Sequence, residues 1–365
     1  MTGKLVLENL KNRPIRSLLS VLLIGVPVTL ILCLVGLSHG MLEDAQRRTR
    51  GIGADIIIRP PGSSLFTLSG SMSQAFVDFF RKQPHVALAL GVVNEGIEGV
   101  TMGATGIDLA AFQQMSGGLN FLSGGPFRSP DDIIIDEYYA KQKNVAVGDR
   151  LELVGHSWRV AGIFENGKLQ RIVMPLEVLQ DLTEKGRVSQ IYLKLDNPAN
   201  TAAVIQRLKS IPELPNFNIH SMEEFTSLLS VNNLPGLKEF VWVVITIGVV
   251  IGFAVVCLSM YMAVLQRTRE IGILKSLGGS KAFILRIILA EALIMGVGGT
   301  ALGIVMSYGA WWLIRTLVPA SIQMVIAYDW WPIALVITLV GTGLGSLYPG
   351  FTAAQSDPIE ALAYE

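Results

Sequence analysis

Charge is scarce in this 365-residue chain: Asp, Glu, Lys and Arg make up 16% of it, against a hydrophobic fraction of 51% and a mean hydropathy of +0.49. That balance is too apolar for an ordinary soluble protein of this length, so a membrane protein is the first expectation. Neither sign is in excess, since 29 basic residues face 29 acidic ones, and bulk electrostatics give no reason to expect nucleic-acid binding. Cysteine is nearly absent. Cys33 and Cys257 each fall inside an apolar run, which excludes a disulfide framework and a thiolate metal cluster. G-K-[ST] does not occur, and without it no phosphate-cradling loop of the Walker A type can be built. "LSGGP", Leu122 to Pro126, resembles an ATPase signature, but it lies in the soluble segment and reads as an accidental match. His85, His156 and His220 stand alone in sequence and read as surface or hydrogen-bonded residues. Asp131 and Asp132 read as opening a strand and Asp136 and Glu137 as starting a helix, all as solvated charge. No catalytic constellation emerges, so the chain is expected to be no enzyme and to bind no cofactor or metal of its own.

What is present is four apolar runs long enough to cross a bilayer, for which about 20 helical residues suffice. They cover 17–38, 240–266, 284–314 and 330–356. The first is too long for the apolar core of a signal peptide, has no A-x-A at its end, and places bulky Leu32 before Cys33 where a lipobox needs a small residue. It is expected to stay as an anchor. Basic residues mark the cytoplasmic side. Lys4, Lys11, Arg13 and Arg16 precede the first run, and Arg267, Arg269, Lys275, Lys281 and Arg286 crowd the link between the second and third. Both termini are therefore expected inside, with segment 1–16 a cytoplasmic amphipathic lead-in and 357–365 a cytoplasmic tail. The insert 39–239 and the short loop 315–329 are expected outside.

The insert has ordinary composition and alternates short strands with amphipathic helices. "ADIIIRP" at Ala54 and "SQIYLKLD" at Ser189 read as strands. "GDRLELVGHSWRVAGIF" reads as a hairpin turning at Gly155-His156. "SQAFVDFFRKQ", "MPLEVLQDLTEKG" and "NTAAVIQRLKSI" have helical spacing. This is an α+β domain of one or two lobes, with Ser116 to Pro130, rich in Gly, Ser and Pro, a candidate mobile loop or lobe boundary. The fold class is thus a membrane protein with four transmembrane α-helices and a large α+β extracytoplasmic domain between helices 1 and 2.

The link 267–283 reads as a short helix with Ile271, Leu274 and Leu277 at three-residue spacing, ended by Gly278-Gly279, with Ser280 capping the next helix. "RTREIGILKSLGGSKAFILRIILAEALIMGVGGTALG", Arg267 to Gly303, resembles the signature stretch of the MacB/FtsX/LolC-like ABC transporter permeases, the type VII or mechanotransmission family. "DPIEALAYE" at Asp357 is similar to that family's terminal P-x-E-A-L-R-x-E, with Ala363 in place of the usual basic residue, and "LENLKNRPIRSLLSVLLIGV" at Leu7 to its opening. The insert matches only loosely, around "DIIIRPPG" and "VGDRLEL".

The resemblance implies a stand-alone permease worked by a separate ABC ATPase chain, which would hold the ATP and Mg. It implies a partner permease, either a second copy or a paralogue, and allows a periplasmic membrane-fusion adaptor. Membrane lipid is the surrounding medium. It also implies that Arg269, Glu270, Ile271, Gly272, Leu274, Lys275, Leu277 and Gly278 dock on the ATPase. The implied activity is export or extraction of a lipid, lipoprotein, peptide or drug; the alternative is FtsX-like signalling to an extracytoplasmic enzyme without moving cargo. Three G-x-x-x-G pairs, Gly248/Gly252, Gly299/Gly303 and Gly341/Gly345, suit close helix packing, including dimerisation. Glu291, the acid nearest a span interior, is expected to face protein and pair with Arg286 or a span hydroxyl.

Overall fold

A computed structural model describes residues 14–63, 70–98, 102–212, 214, 216–234 and 236–355. The lead-in before Pro14 and the tail "DPIEALAYE" lie outside the described residues. The chain divides into two compact units. One is drawn from Met1–Ser38, Gly236–Leu313 and Met324–Glu365, the other from His39–Pro235 and Ile314–Gln323. The expected outer loop 315–329 is therefore divided, its first part belonging to the same unit as the insert.

Helix α1, Pro14–Arg50, runs twelve residues past the apolar stretch that ends at Ser38, so the insert's unit begins as helix. There follow β1 Ile56–Arg59, β2 Met72–Ser73, α2 Ala75–Arg81, β3 Val86–Glu98, β4 Met102–Ile107 and α3 Leu109–Ser116. Next come β5 Phe121–Gly124, β6 Asp132–Asp136, α4 Glu137–Lys143, β7 Arg150–Leu153, β8 His156–Phe164 and β9 Ile172–Pro175. The unit closes with α5 Leu176–Leu182, β10 Arg187–Val188, β11 Gln190–Leu195, α6 Thr201–Lys209, β12 Asn218–Ser221 and α7 Met222–Leu228. Ten strands form one sheet in the order β12-β1-β11-β3-β4-β9-β6-β8-β5, with β7 beside β8, while β2 and β10 make a separate ribbon. Long β3 is the reason for a single sheet: residues up to Val92 pair with β11, and those from Val93 onward pair with β4.

The β-branched runs occupy the interior, where both faces are covered and alternation is lost. "IIIR" of β1 and "DIIID" of β6 are buried at every position. One face of the sheet carries Ile57, Leu90, Val92, Ile134 and Val173 under Phe112, Met115 and Phe225 of α3 and α7. On the other face, Ile133, Ile172 and Trp158 pack beneath α4 and α5, and Ile58 and Leu193 beneath α2 and α6. In β8 a bulge places Gly162 opposite Ile134, and a Cβ there would stand 2.3 Å from the Gly125 carbonyl oxygen of the strand β5 side.

Two expectations change here. Ser116 to Pro130 is no lobe boundary, because it contains β5, an edge strand antiparallel to β8. Asp132 and Asp136 are buried rather than solvated. Asp132 accepts hydrogen bonds from the Arg128 and Ser129 amides and pairs with Arg159 at 2.7 Å, while Asp136 caps α4 by accepting from the Tyr139 amide. Asp131 stays exposed and bonds His156.

The membrane unit holds the Pro14–Ser38 part of α1 with α8 Leu237–Leu265, α9 Thr268–Ser276, α10 Lys281–Leu317 as far as Leu313, and α11 Trp330–Gln355. Glycines set the closest approaches. A Cβ on Gly299 would stand 2.4 Å from Ile24 Cγ2, and one on Gly303 2.7 Å from Val28 Cβ, so this pair seats α10 against α1 of the same chain. Gly345 lies against the Phe253 carbonyl, closing α11 on α8. Gly252 and Gly341 meet nothing within 4 Å, and Gly248 makes only ordinary contact with Ile31. The three motifs are thus not equivalent.

Trp158 is fully buried and donates through Nε1 to the Leu153 carbonyl at 2.9 Å. Trp158→Ala should lower the protection of β6 and β8 in amide exchange by about 3–5 kcal/mol. Burial opposes ionisation of Asp132, but the two amides and Arg159 outweigh it and hold the carboxyl below the ordinary aspartate value. The stability it contributes is complete above that ordinary value and is lost as pH falls through the depressed one. The protection factor at β6, exchange corrected for its intrinsic pH dependence, should therefore fall in acid, and Asp132→Asn should flatten that dependence.

Candidate functional site

The elbow between α8 and α10 is built from its ends inward. Helix α9 stops in a paired set of bonds: the Gly279 amide reaches the Leu274 carbonyl at 2.9 Å and the Gly278 amide the Lys275 carbonyl at 3.0 Å. This is the Schellman arrangement, and it requires the left-handed backbone that Gly278 adopts at φ 91°. Gly279 is required for space, because a Cβ on it would stand 2.6 Å from the Leu274 oxygen. One residue later Ser280 Oγ accepts from the Phe283 amide and starts α10. Two helices are joined with almost no slack.

The elbow is also held from beneath. Glu291 is buried, and its carboxylate receives both terminal nitrogens of Arg267 at 3.0 and 3.1 Å in a two-pronged pair. The partner is Arg267 rather than Arg286 or a hydroxyl. Ile271 joins the buried cluster of Val256, Met260, Val264, Ile284, Ile288 and Met295, and Gly272 is buried beside it. Lys275 Nζ donates to the Ala354 carbonyl at 2.8 Å, in the last turn of α11.

The residues expected to dock on a partner therefore separate. Ile271 and Gly272 are buried in the bundle and Leu274 and Lys275 are half-buried against it. Arg269, Glu270, Leu277 and Gly278 are exposed, Leu277 to 81%. Ile273, which three-residue counting from Ile271 passes over, is exposed to 45% and joins them. Positions 269, 270, 273 and 277 share one side of the helix. The outward face is two apolar side chains with a basic and an acidic one.

Comparison with known proteins matches residues 17–211, more than half of the chain, to the MacB-like periplasmic core domain, and residues 242–358 to the FtsX-like permease C-terminal domain. The chain belongs to the MacB/FtsX-like permeases. The second match contains the whole elbow. The permease is 24% identical to the Macrolide export ATP-binding/permease protein MacB of Escherichia coli, over 99% of this chain and 60% of that protein. To the protein of that name in strain K12 it is 26% identical over 96% of this chain and 58% of the relative. It thus spans about 60% of the length of these relatives. The periplasmic region of MacB from Actinobacillus actinomycetemcomitans aligns over 51% of this chain and 97% of that structure at 17% identity, with a TM-score of 0.39.

Within the insert's unit a second buried guanidinium organises its surroundings. Arg171 donates from Nε to the Ala320 carbonyl at 2.9 Å, from one terminal nitrogen to Asp136 at 2.6 Å and from the other to Asp44 at 3.0 Å. Asp44 also receives Arg48 at 3.1 Å. Gln142 adds a second tie, accepting from the Ala320 and Ser321 amides. The end of α1, the start of α4 and the Ile314–Gln323 segment meet at one side chain. Asn166, five residues away, is a local partner at 3.2 Å, but the two carboxylates and the Ala320 carbonyl lie 35, 127 and 149 residues away.

In the elbow, either Arg267→Gln or Glu291→Gln leaves a buried charge alone, and each should cost about 3–5 kcal/mol. The apolar pair Arg267→Met with Glu291→Leu should recover most of that loss. Thermal unfolding of the unsubstituted protein and the three variants in detergent measures both effects.

Proposed function

We propose that this permease is the membrane subunit of an ATP-driven complex of the bacterial inner membrane, with both termini in the cytoplasm. A separate ABC ATPase, carrying ATP and Mg, seats on the outward face of α9. Its closure displaces the elbow, and the spans pass the displacement to the extracytoplasmic insert, which exports or extracts an amphiphilic substrate.

The observation that carries this reading is the division of α9 into two faces. The inner one, through Ile271, Gly272 and the Arg267–Glu291 pair, ties the helix to the spans. The outer one leaves Arg269, Glu270, Ile273 and Leu277 exposed at the end of a rigidly capped turn. Apolar side chains give such a contact area, and the flanking charges select its register. A stiff helix is suited to passing on a push, because its end is fixed by backbone bonds. Gly252 and Gly341, open within the chain, offer a backbone-level approach to a second permease.

The test is ATP turnover of the complex that co-purifies with the tagged permease when it is expressed with its genomic neighbours. Glu270→Lys and Leu277→Asp alter exposed side chains that support nothing inside the bundle, so the melting temperature should hold while permease-stimulated turnover falls at least tenfold. Unchanged turnover in both variants, or recovery of no ATPase, refutes the docking assignment.

A further inference from the structure

A cavity of about 360 Å³ opens in the insert's unit between the sheet and the end of α1. Its size lies at the lower end of small-molecule sites, which run about 300–1,000 Å³. The floor follows from strand parity: Ile57 and Arg59 of β1 point to one face, and the register Ile57↔Tyr192 brings β11 onto the same face. Apolar lining comes from Ile57, Phe225 and Leu229, and two guanidiniums, Arg48 and Arg59, line it as well.

The charge of this lining is one-sided. Arg48, Arg59 and Arg171 contribute to it, against the single carboxylate of Asp44. Asp136 supplies a second carboxylate to Arg171 from outside the lining. Asp44 is itself shared between Arg171 and Arg48, and Arg48 Nε makes no hydrogen bond among the described residues. Arg59 is only 5% exposed and stands over the Phe225 ring at 5.5 Å, apart from the Arg171 cluster. Guanidiniums lining a cavity of mixed polarity favour an oxyanion that can accept two parallel N–H bonds.

We propose that this cavity binds an anionic amphiphile, its carboxylate or phosphate group taken by Arg59 and its alkyl tail lying against Ile57, Phe225 and Leu229. The inference deepens the transport reading by giving the carried molecule a chemistry. Its test needs no ATPase, so the two readings can fail separately.

The full chain, purified in neutral maltoside detergent, is photolabelled with diazirine-bearing decanoate and, separately, diazirine-bearing decyl phosphate, and the labelled peptides are mapped. At least one probe should label peptides spanning 41–52 or 225–229. Excess unlabelled acid of the same headgroup should reduce that label at least fivefold, while decanol and decyltrimethylammonium leave it. The probe that labels assigns the headgroup. Arg59→Gln should lose the label and Arg59→Lys retain it. If Arg59→Gln fails to fold, competition on the unsubstituted chain decides by itself. Label confined to the membrane helices, or displaced as well by decanol as by the acids, overturns the proposal.

Discussion

A guanidinium taken out of water must be matched nearly atom for atom, since an unpaired buried charge costs several kcal/mol. Arg171 meets that requirement with groups from α1, α4 and the Ile314–Gln323 segment, none of them its sequence neighbours. The consequence is geometrical. Three pieces of chain that share no strand pairing are held at hydrogen-bond distance, and the wall of the cavity beside them is fixed by the same side chain. Arg267 and Glu291 repeat the rule in the membrane unit, where the elbow is held by a two-pronged pair in place of a network.

The sequence pattern carried the architecture because the relevant signals are local. Apolar run length marks the spans, β-branched runs mark the buried strands, and the Gly278-Gly279-Ser280 triplet marks one helix end and the next beginning. The hairpin belongs with these, though it turns one residue earlier than Gly155-His156: Val154 and Gly155 both adopt positive φ, as a two-residue turn requires, and His156 opens β8. What escaped is what depends on distant partners. Asp132 and Asp136 look like surface acids until Arg159 and Arg171 are brought to them. Arg286 was the nearer cation to Glu291 along the chain, but five helical residues separate them by about 140°, on different sides of α10. Arg267 reaches Glu291 because α9 folds back, which no count along one helix reveals.

The edge strand and the two faces of α9 were the hardest to read, and for a common reason. β5 has one half-buried residue followed by three exposed ones, so it lacks the alternation by which strands are recognised. On α9 the apolar residues divide between an inner and an outer face. Spacing alone identified Leu277 but passed over Ile273, and it grouped Ile271 with residues on the opposite side. The glycine pairs show the same limit: identical spacing serves an intrachain contact at Gly299 and Gly303 and open space at Gly252 and Gly341.

The join between α9 and α10 has a further consequence for the chain's tolerance of change. From Leu277 to Ser280 every residue either closes one helix or opens the next, so the two cylinders are locked in angular phase. One inserted residue would rotate everything downstream by about 100°, swinging Ile288, Gly299 and Gly303 away from the neighbours they were shaped to meet. The packing of the spans depends on the number of residues in this short bend and not on which side chains face outward from it.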